Sequence, residues 1–525
     1  MAMLKRLPLA FILSCFSACY LISVPSLASS DEFLQCLSDQ IPSELVYKQS
    51  YSNFTDVLVS SVRNPNFFTN TTVRPLGIVT PTHASHVQAA VLCGRRHGVR
   101  LRVRSGGHDY EGLSYRSVRP EVFGVVDVNK LRSISVNPSD STAWVDSGAT
   151  IGELYYAVGK GNSELAFPAG ECPTLGVGGH FSGGGIGMLM RKYGLSIDQI
   201  LDATLVNAKG ELLDRAGMGE DHFWAIRGGG GESFGIVLSW KIQLVQVPPT
   251  VTVLSIGKTL DQGAIDIVTR WQEVGPTFPD ELTMRVKVQG QEALFLAVYL
   301  GTCSSLVETL DRQFPELNMT SADCRPMTYL ESTALSFTTL AKTGTPEEVL
   351  LDRTSSLSFA VKGKSDYVRR PISKGEWEDI FSWFNKNGSG LIMLEPHGGF
   401  LRSIPAAATP YPHRDGVLYV IQYLVFWPAA NGGTAPQTTW LHDFYEFMGH
   451  HVSKNPREAY VNFRDLDIGQ NTVVDDVSTY ESGEVWGERY FMDNFHRLAT
   501  VKAAVDPTDY FRNEQSTPPL LHRHD

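Results

Sequence analysis

Glycine is crowded into three short stretches in the first half of the chain, and that crowding constrains the fold more than any other feature. One stretch is Ser105-Gly106-Gly107-His108, directly after a segment that reads as a strand. A second is Gly176-Val177-Gly178-Gly179-His180-Phe181-Ser182-Gly183-Gly184-Gly185-Ile186-Gly187, and a third is Gly228 to Gly231. Glycine lets backbone N–H groups come close to a ligand, and rows of such groups bind phosphate. A single cluster would read as a tight turn or close packing. Three clusters in one half point to a large phosphate-bearing cofactor. The usual dinucleotide fingerprint is not met, since Met190 and Ser233 stand where the third glycine of G-x-G-x-x-G would fall. There is no H-E-x-x-H, no paired C-x-x-C and no G-x-S-x-G, so neither a metal site nor a serine triad is expected. His83 and His86 stand three apart near a helix start and read as solvent-facing residues, not ligands.

The 525 residues are 42% hydrophobic and 19% charged, a globular composition long enough for two or three domains. A formal net charge of -11 disfavours nucleic acid as a partner. Lys5 and Arg6, the apolar run Leu7 to Val24 and Ser26-Leu27-Ala28 read as an export signal cut after Ala28. No second apolar stretch of spanning length follows, so no membrane is expected.

Export changes how the seven cysteines are read. Cys15 and Cys19 leave with the signal, and five remain in an oxidising compartment, so at least one is unpaired. Cys36 with Cys93 and Cys303 with Cys324 are reasonable pairs by neighbourhood, which leaves Cys172 in the most unusual segment of the chain. Asn53, Asn70, Asn318 and Asn387 head glycosylation acceptor patterns.

From Pro75 the pattern runs strand, helix, strand: Gly77 to Thr80, Ala84 to His97 capped by Thr82 or Ser85, and Val99 to Arg104, where apolar residues alternate with arginine as in a half-buried strand. Strands are expected at Gly124 to Val128 and Ala143 to Val145, with a helix at Ile151 to Val158. A hairpin turns at Lys209-Gly210, and a long strand, Ile236 to Val245, ends at Pro248-Pro249. The texture then changes. Helices near Ala264 to Trp271 and Leu306 to Phe314 separate strands at Leu282 to Val288, Leu294 to Leu300, Leu391 to Leu394 and Val417 to Trp427, an α+β layout with helices on one side of a sheet. Pro405 to Arg414 reads as a loop.

Four stretches resemble the plant berberine bridge enzyme-like family: Arg104-Ser105-Gly106-Gly107-His108-Asp109-Tyr110-Glu111-Gly112, Cys172-Pro173-Thr174-Leu175-Gly176-Val177-Gly178-Gly179-His180, Tyr460-Val461-Asn462-Phe463-Arg464-Asp465, and Tyr510-Phe511-Arg512-Asn513-Glu514-Gln515-Ser516. The similarity covers nearly the whole mature chain, and within the family it is greatest to the grass pollen group 4 allergens. The resemblance implies an α+β, two-domain vanillyl-alcohol-oxidase or PCMH-type FAD-binding fold with an antiparallel-sheet substrate domain. It places an N-terminal segment at 29–70, the FAD domain at 71–248, the substrate domain at 249–454 and a C-terminal segment, 455–525, that returns to the FAD domain. It implies FAD attached twice, through His108 and Cys172, and a disulfide between Cys36 and Cys93. The cofactor would be held by Arg104, Ser105, Gly106, Gly107, Gly178, Gly179, His180, Ser182, Gly183, Gly187, Ile236, Tyr460 and Asn462, with Tyr110, Leu175, Gln422 and Phe463 at the reacting end.

A flavin takes a hydride at N5, while the protein supplies position, electrostatics and a proton acceptor. Gln422 stands where some relatives have a catalytic glutamate, and glutamine cannot take a proton, which disfavours alkaloid ring closure. Ile186, Phe463 and Val420 replace the tyrosines and lysine of alcohol-oxidising relatives, so the base is Tyr110 or another residue such as Glu395. Leu175 is bulkier than the valine that admits oxygen in relatives, which implies a dehydrogenase with slow reaction to oxygen. The expected protein is a secreted, extracellular or cell-wall monomer that oxidises a sugar or alcohol and passes electrons to an acceptor. Sugar oxidation at the anomeric carbon is favoured, with Trp383, Trp427 and Tyr423 available to stack on sugar rings. The alternatives are a monolignol-type alcohol oxidoreductase and a non-redox flavin-scaffolded cyclase or inactive allergen.

Overall fold

Short β-branched runs in the first half build two small sheets. In the first, β1 (Val46–Lys48), β2 (Gly77–Val79), β3 (Arg100–Arg104) and β4 (Phe123–Asp127) take the order β1-β2-β4-β3, with β2 and β3 both parallel to β4. The helix Ala84–Arg96 makes the crossover and buries Val87, Ala90, Val91 and Cys93 at helical spacing. Neither expected cap is used. His83 occupies the N-cap without a side-chain hydrogen bond, the Thr82 hydroxyl lies 3.4 Å from His86 Nδ1, and Ser85 is already inside the first turn. β3 is also not half-buried. Arg102 pairs with Glu514 at 3.0 Å and Arg104 with Asp127 at 2.5 Å, because the C-terminal segment and β4 cover the sides where the arginines point.

The second sheet is antiparallel: β5 (Ile134–Asn137), β6 (Thr142–Asp146), β8 (Ile200–Val206), β9 (Leu212–Leu213) and β10 (Ile236–Gln243), in the order β5-β6-β10-β8-β9. The expected hairpin forms, with Gly210 at φ +78°. The long strand is interrupted at Leu244, after which β11 (Val245–Gln246) pairs with β7 (Leu165–Ala166) instead.

Beyond Pro249 lies a seven-stranded antiparallel sheet. It comprises β12 (Val251–Thr259), β13 (Leu282–Gln289), β14 (Glu292–Tyr299), β15 (Cys324–Met327), β16 (Phe359–Val368), β17 (Leu391–Pro396) and β18 (Tyr419–Pro428), in the order β15-β12-β14-β13-β17-β18-β16. Helices Ala264–Val274, Cys303–Gln313, Lys374–Trp383 and Pro436–Met448 share a core with one face of it. Along β18 the odd positions Tyr419, Ile421, Tyr423, Val425 and Trp427 enter that core, while Gln422, Leu424 and Phe426 face the other way. The structure is a computed structural model and describes residues 27–335, 337, 346–354, 357–429 and 435–521. The expected leader lies outside these residues except for Leu27 and Ala28, which begin the helix Leu27–Gln40.

Two disulfides form, Cys36–Cys93 and Cys303–Cys324, and Cys172 is the free cysteine among the described residues. The C-terminal segment returns to the first sheet. Tyr510 donates to the Val99 carbonyl at 3.1 Å, and Lys502 Nζ donates to the Ser233 carbonyl at 2.7 Å.

Candidate functional site

Two glycine loops meet backbone to backbone. An added Cβ at Gly106 would lie 2.3 Å from Gly176 N and 2.8 Å from the Thr174 carbonyl. At Gly107, with φ +71°, it would lie 1.7 Å from the Ser61 carbonyl. Only glycine fits either place. The contact carries the two linking candidates to one spot: His108 Nε2 lies 2.8 Å from Thr174 Oγ1, and Cys172 Sγ lies 3.5 Å from the same oxygen. Enclosure by protein, and then the charge of Arg63, lower the His108 imidazole to about 3, so it is neutral.

Around this point opens a cleft enclosing about 990 Å³ of empty space, part of it open to solvent, a size that suits a large cofactor. Its wall includes Ser105, Gly106, Gly107, His108, Leu175, Gly178, Gly179, His180, Ser182, Ile236 and Asn462. At Gly179 an added Cβ would meet nothing within 4 Å. All three glycine clusters reach the cleft, since Gly231 also lines it. The arrangement fits a long ligand approached closely by backbone. A second opening shares His108 and is lined by Arg63, Asn64, Tyr110, Thr174, Leu424 and Phe426, among others.

Other expected contacts stand behind the wall. Arg104 is spent on Asp127 and on the carbonyls of Val57 and Leu58. Gly187 is required by packing, since a Cβ there would sit 1.8 Å from the Ala169 carbonyl. Gly183 makes room for Asn462, whose Oδ1 would be 2.1 Å from an added Cβ. The Tyr460 hydroxyl accepts from Gly185 N at 2.8 Å and from Asn462 Nδ2 at 3.0 Å, which fixes the wall's shape. His180 Nε2 accepts from Gly170 N at 2.9 Å, and burial lowers its imidazole to about 4.

At the reacting end, Gln422 Nε2 donates to the Tyr110 hydroxyl at 2.6 Å. The Tyr110 ring lies against Gly363 and 6.0 Å from the ring of Phe463. Burial first, and the charge of Cys172 second, push the phenol well above its ordinary range, so Tyr110 stays neutral and is poorly suited as a base. Glu395, opposite Val420 across β17 and β18, pairs with Arg285 at 3.1 Å, and Arg285 also pairs with Glu171 beside Cys172. Burial raises the Glu395 carboxyl, and its Oε2 has no hydrogen-bond partner. The aromatic residues expected to stack on sugars do not face the cleft. Tyr423 and Trp427 are odd positions of β18 inside the helix-side core, and Trp383 packs on Phe444 and Phe447.

Sequence reasoning passed over Glu232. It lines the cleft directly after the third glycine cluster, at φ +63° for a non-glycine residue. Its Oε1 accepts from Asn513 Nδ2 at 2.5 Å, and burial pushes its carboxyl up to about 7 against the pull of Arg464 and Arg102. Its glycine neighbours were the only signal.

Residues 75–215 match the family described as FAD binding domain, and residues 459–518 match the one described as berberine and berberine like. The berberine bridge enzyme-like protein Cyn d 4 of Cynodon dactylon is 56% identical over 490 residues, 93% of each chain. The Bermuda grass isoallergen BG60, of the pollen group 4 allergens, superimposes with a TM-score of 0.91 at 56% identity, over 93% of this chain and 100% of that one. Wild-type Phl p 4.0202, a glucose dehydrogenase, superimposes with a TM-score of 0.90 at 51% identity, over 93% of this chain and 100% of that one. A Phl p 4 variant with one isoleucine replaced by valine, a glucose oxidase, superimposes with the same figures. Fold and site thus define an FAD-linked oxidoreductase of the PCMH-type, two-domain architecture. More narrowly, the chain belongs to the berberine bridge enzyme-like family.

Proposed function

We propose that this chain is a secreted carbohydrate dehydrogenase. In this reading it holds FAD through His108 and Cys172, oxidises a sugar at its anomeric carbon to a lactone, and passes the electrons to an acceptor other than dioxygen. The observation that carries the reading is the convergence of His108 and Cys172 on Thr174 Oγ1. The hydrogen bond at Nε2 leaves Nδ1 of a neutral imidazole for the flavin's 8α carbon, and Cys172, the free cysteine among the described residues, would supply the thiol for the C6 bond. The flavin, when bound, supplies hydride acceptance at N5.

The chain's own residues orient the reaction. Neutral Tyr110 has its oxygen engaged by Gln422, so its O–H proton is available to the substrate hydroxyl as an orienting donor. Leu175 lines the cleft, and its bulk supports low access for dioxygen. The relatives' glucose chemistry supports sugar over aromatic alcohol. Anaerobic mixing of the purified protein with glucose, cellobiose, longer β-glucans and coniferyl alcohol tests the reading. Bleaching of the flavin band by sugars is the expected outcome. A flavin that dithionite reduces but no sugar bleaches would remove the carbohydrate assignment, and bleaching by coniferyl alcohol alone would favour a monolignol substrate.

A further inference from the structure

The two linking candidates share one cationic neighbour. Arg63 lies just beyond the helix Phe54–Val59, and its guanidinium donates to three carbonyl oxygens: Nε to Gly106 at 3.2 Å, Nη1 to Thr354 at 2.8 Å and Nη2 to Arg353 at 2.9 Å. Two of these belong to a distant segment that is itself pinned, since Arg353 pairs with Glu153 at 2.6 Å and donates to the Gly148 carbonyl at 3.0 Å. The plane of the guanidinium is therefore fixed by acceptors on both sides, and those acceptors are neutral, so they do not cancel its charge. Arg63 lines the same opening as His108 and Thr174, and Cys172 Sγ reaches that same Thr174 oxygen. One of its three contacts is to a residue two positions before His108.

We propose that Arg63 is a positioning residue for cofactor attachment, the fixed cation that stabilises the charge developing as His108 and Cys172 form their bonds to the flavin. The proposal rests on the doubly attached reading above. At His108 the N–H and a methyl C–H of the ring system give one C–N bond. At Cys172 the S–H and a ring C–H give one C–S bond. Each bond releases two protons and two electrons, and dioxygen takes them as hydrogen peroxide, or another two-electron acceptor takes them. In both cases the nucleophile's electron pair first enters the ring system, and a preorganised cation at that edge lowers the cost of the negative charge. Electrostatics agree with the geometry. A thiolate at Cys172, the form that attacks the ring, is the largest influence opposing the effect of burial on Arg63, ahead of nearby Asp352, while Arg353 and Arg104 act the other way. Arg63 in turn helps keep His108 unprotonated, with its lone pair available.

The test uses the full chain as wild type, Arg63→Met and Arg63→Lys, isolated with bound FAD. Intact mass after denaturation gives the covalent fraction, and peptide fragmentation separates His108-linked from Cys172-linked flavin. Wild type is expected to carry both bonds. Arg63→Met is expected to form them on the order of tenfold more slowly, as for loss of one partly screened charge, and to accumulate singly linked protein. Arg63→Lys, which keeps the charge without the three-carbonyl clamp, is expected to recover most of the rate. Arg63→Met forming both bonds at the wild-type rate overturns the proposal, as does a folded Arg63→Lys that forms them no faster than Arg63→Met. Wild type without any covalent flavin would overturn the doubly attached reading itself, a distinct result.

Discussion

Leu175 sits on the cleft wall with its backbone tied on both sides, its N–H donating to the Cys172 carbonyl and its own carbonyl accepting from Ile151. A smaller side chain therefore opens space without moving the loop. Leu175→Val is expected to speed reoxidation of the dithionite-reduced flavin in air by about tenfold or more, since removing one methylene can clear a path that close packing had shut. Stopped-flow reoxidation measures this, and an unchanged rate would mean that Leu175 is only packing. As linking candidates, His108 and Cys172 stand out in the sequence because both sit in glycine-rich stretches and an odd number of cysteines follows the expected leader. Arg63 and Glu232 do not. Their contacts are with Thr354, Arg353 and Asn513, which lie hundreds of residues away along the chain.

At the scale of elements, the paired loops at Gly106 and Gly176 hold the site together. Gly106→Ala forces a Cβ against two backbone groups that cannot yield. It is expected to cost about 1–3 kcal/mol, the usual range for overpacking, and, on the proposed double attachment, to lower the covalent flavin fraction by parting His108 from Cys172. Thermal unfolding together with flavin per polypeptide checks both effects, and a native melting point with full flavin would contradict the account. Strands with plain apolar alternation, such as β13 and β14, were readable in advance. β16 was not, because Lys362, Lys364 and Asp366 break its pattern. They are tolerated inside because Lys364 meets Asp465 at 2.7 Å and Asp467 at 2.6 Å, Lys362 meets Glu111 and Asp465, and Asp366 meets Arg457 at 2.7 Å. Charges satisfied by partners a hundred residues away look, in sequence, like a solvated loop.

The molecule as a whole should respond to pH through groups held far from their ordinary values. Burial lowers His180 to about 4 and His397 to about 3, from 6.5. In the unfolded chain they take up protons first, so the stability they confer is present above about 6.5 and is lost as pH falls toward 4. Glu232 acts oppositely. Its folded value of about 7 lies above its ordinary 4.5, so its contribution is full below 4.5 and is lost as pH rises through 7. The melting temperature is expected to fall between pH 7 and pH 4, since His108, His180 and His397 are all held unprotonated by the fold. Glu232→Gln is expected to gain on wild type as pH rises from 5 to 8, and a pH-independent difference would show that Glu232 is ionised throughout. The alternation along β18 has a further consequence. Tyr419, Ile421, Tyr423, Val425 and Trp427 answer to the helix-side core, whereas Leu424 and Phe426 line the second opening beside His108 and Gln422 holds Tyr110 there. One strand thus carries two interleaved texts, and selection can rewrite the second, trading one substrate for another over generations, while leaving the first letter for letter as it was.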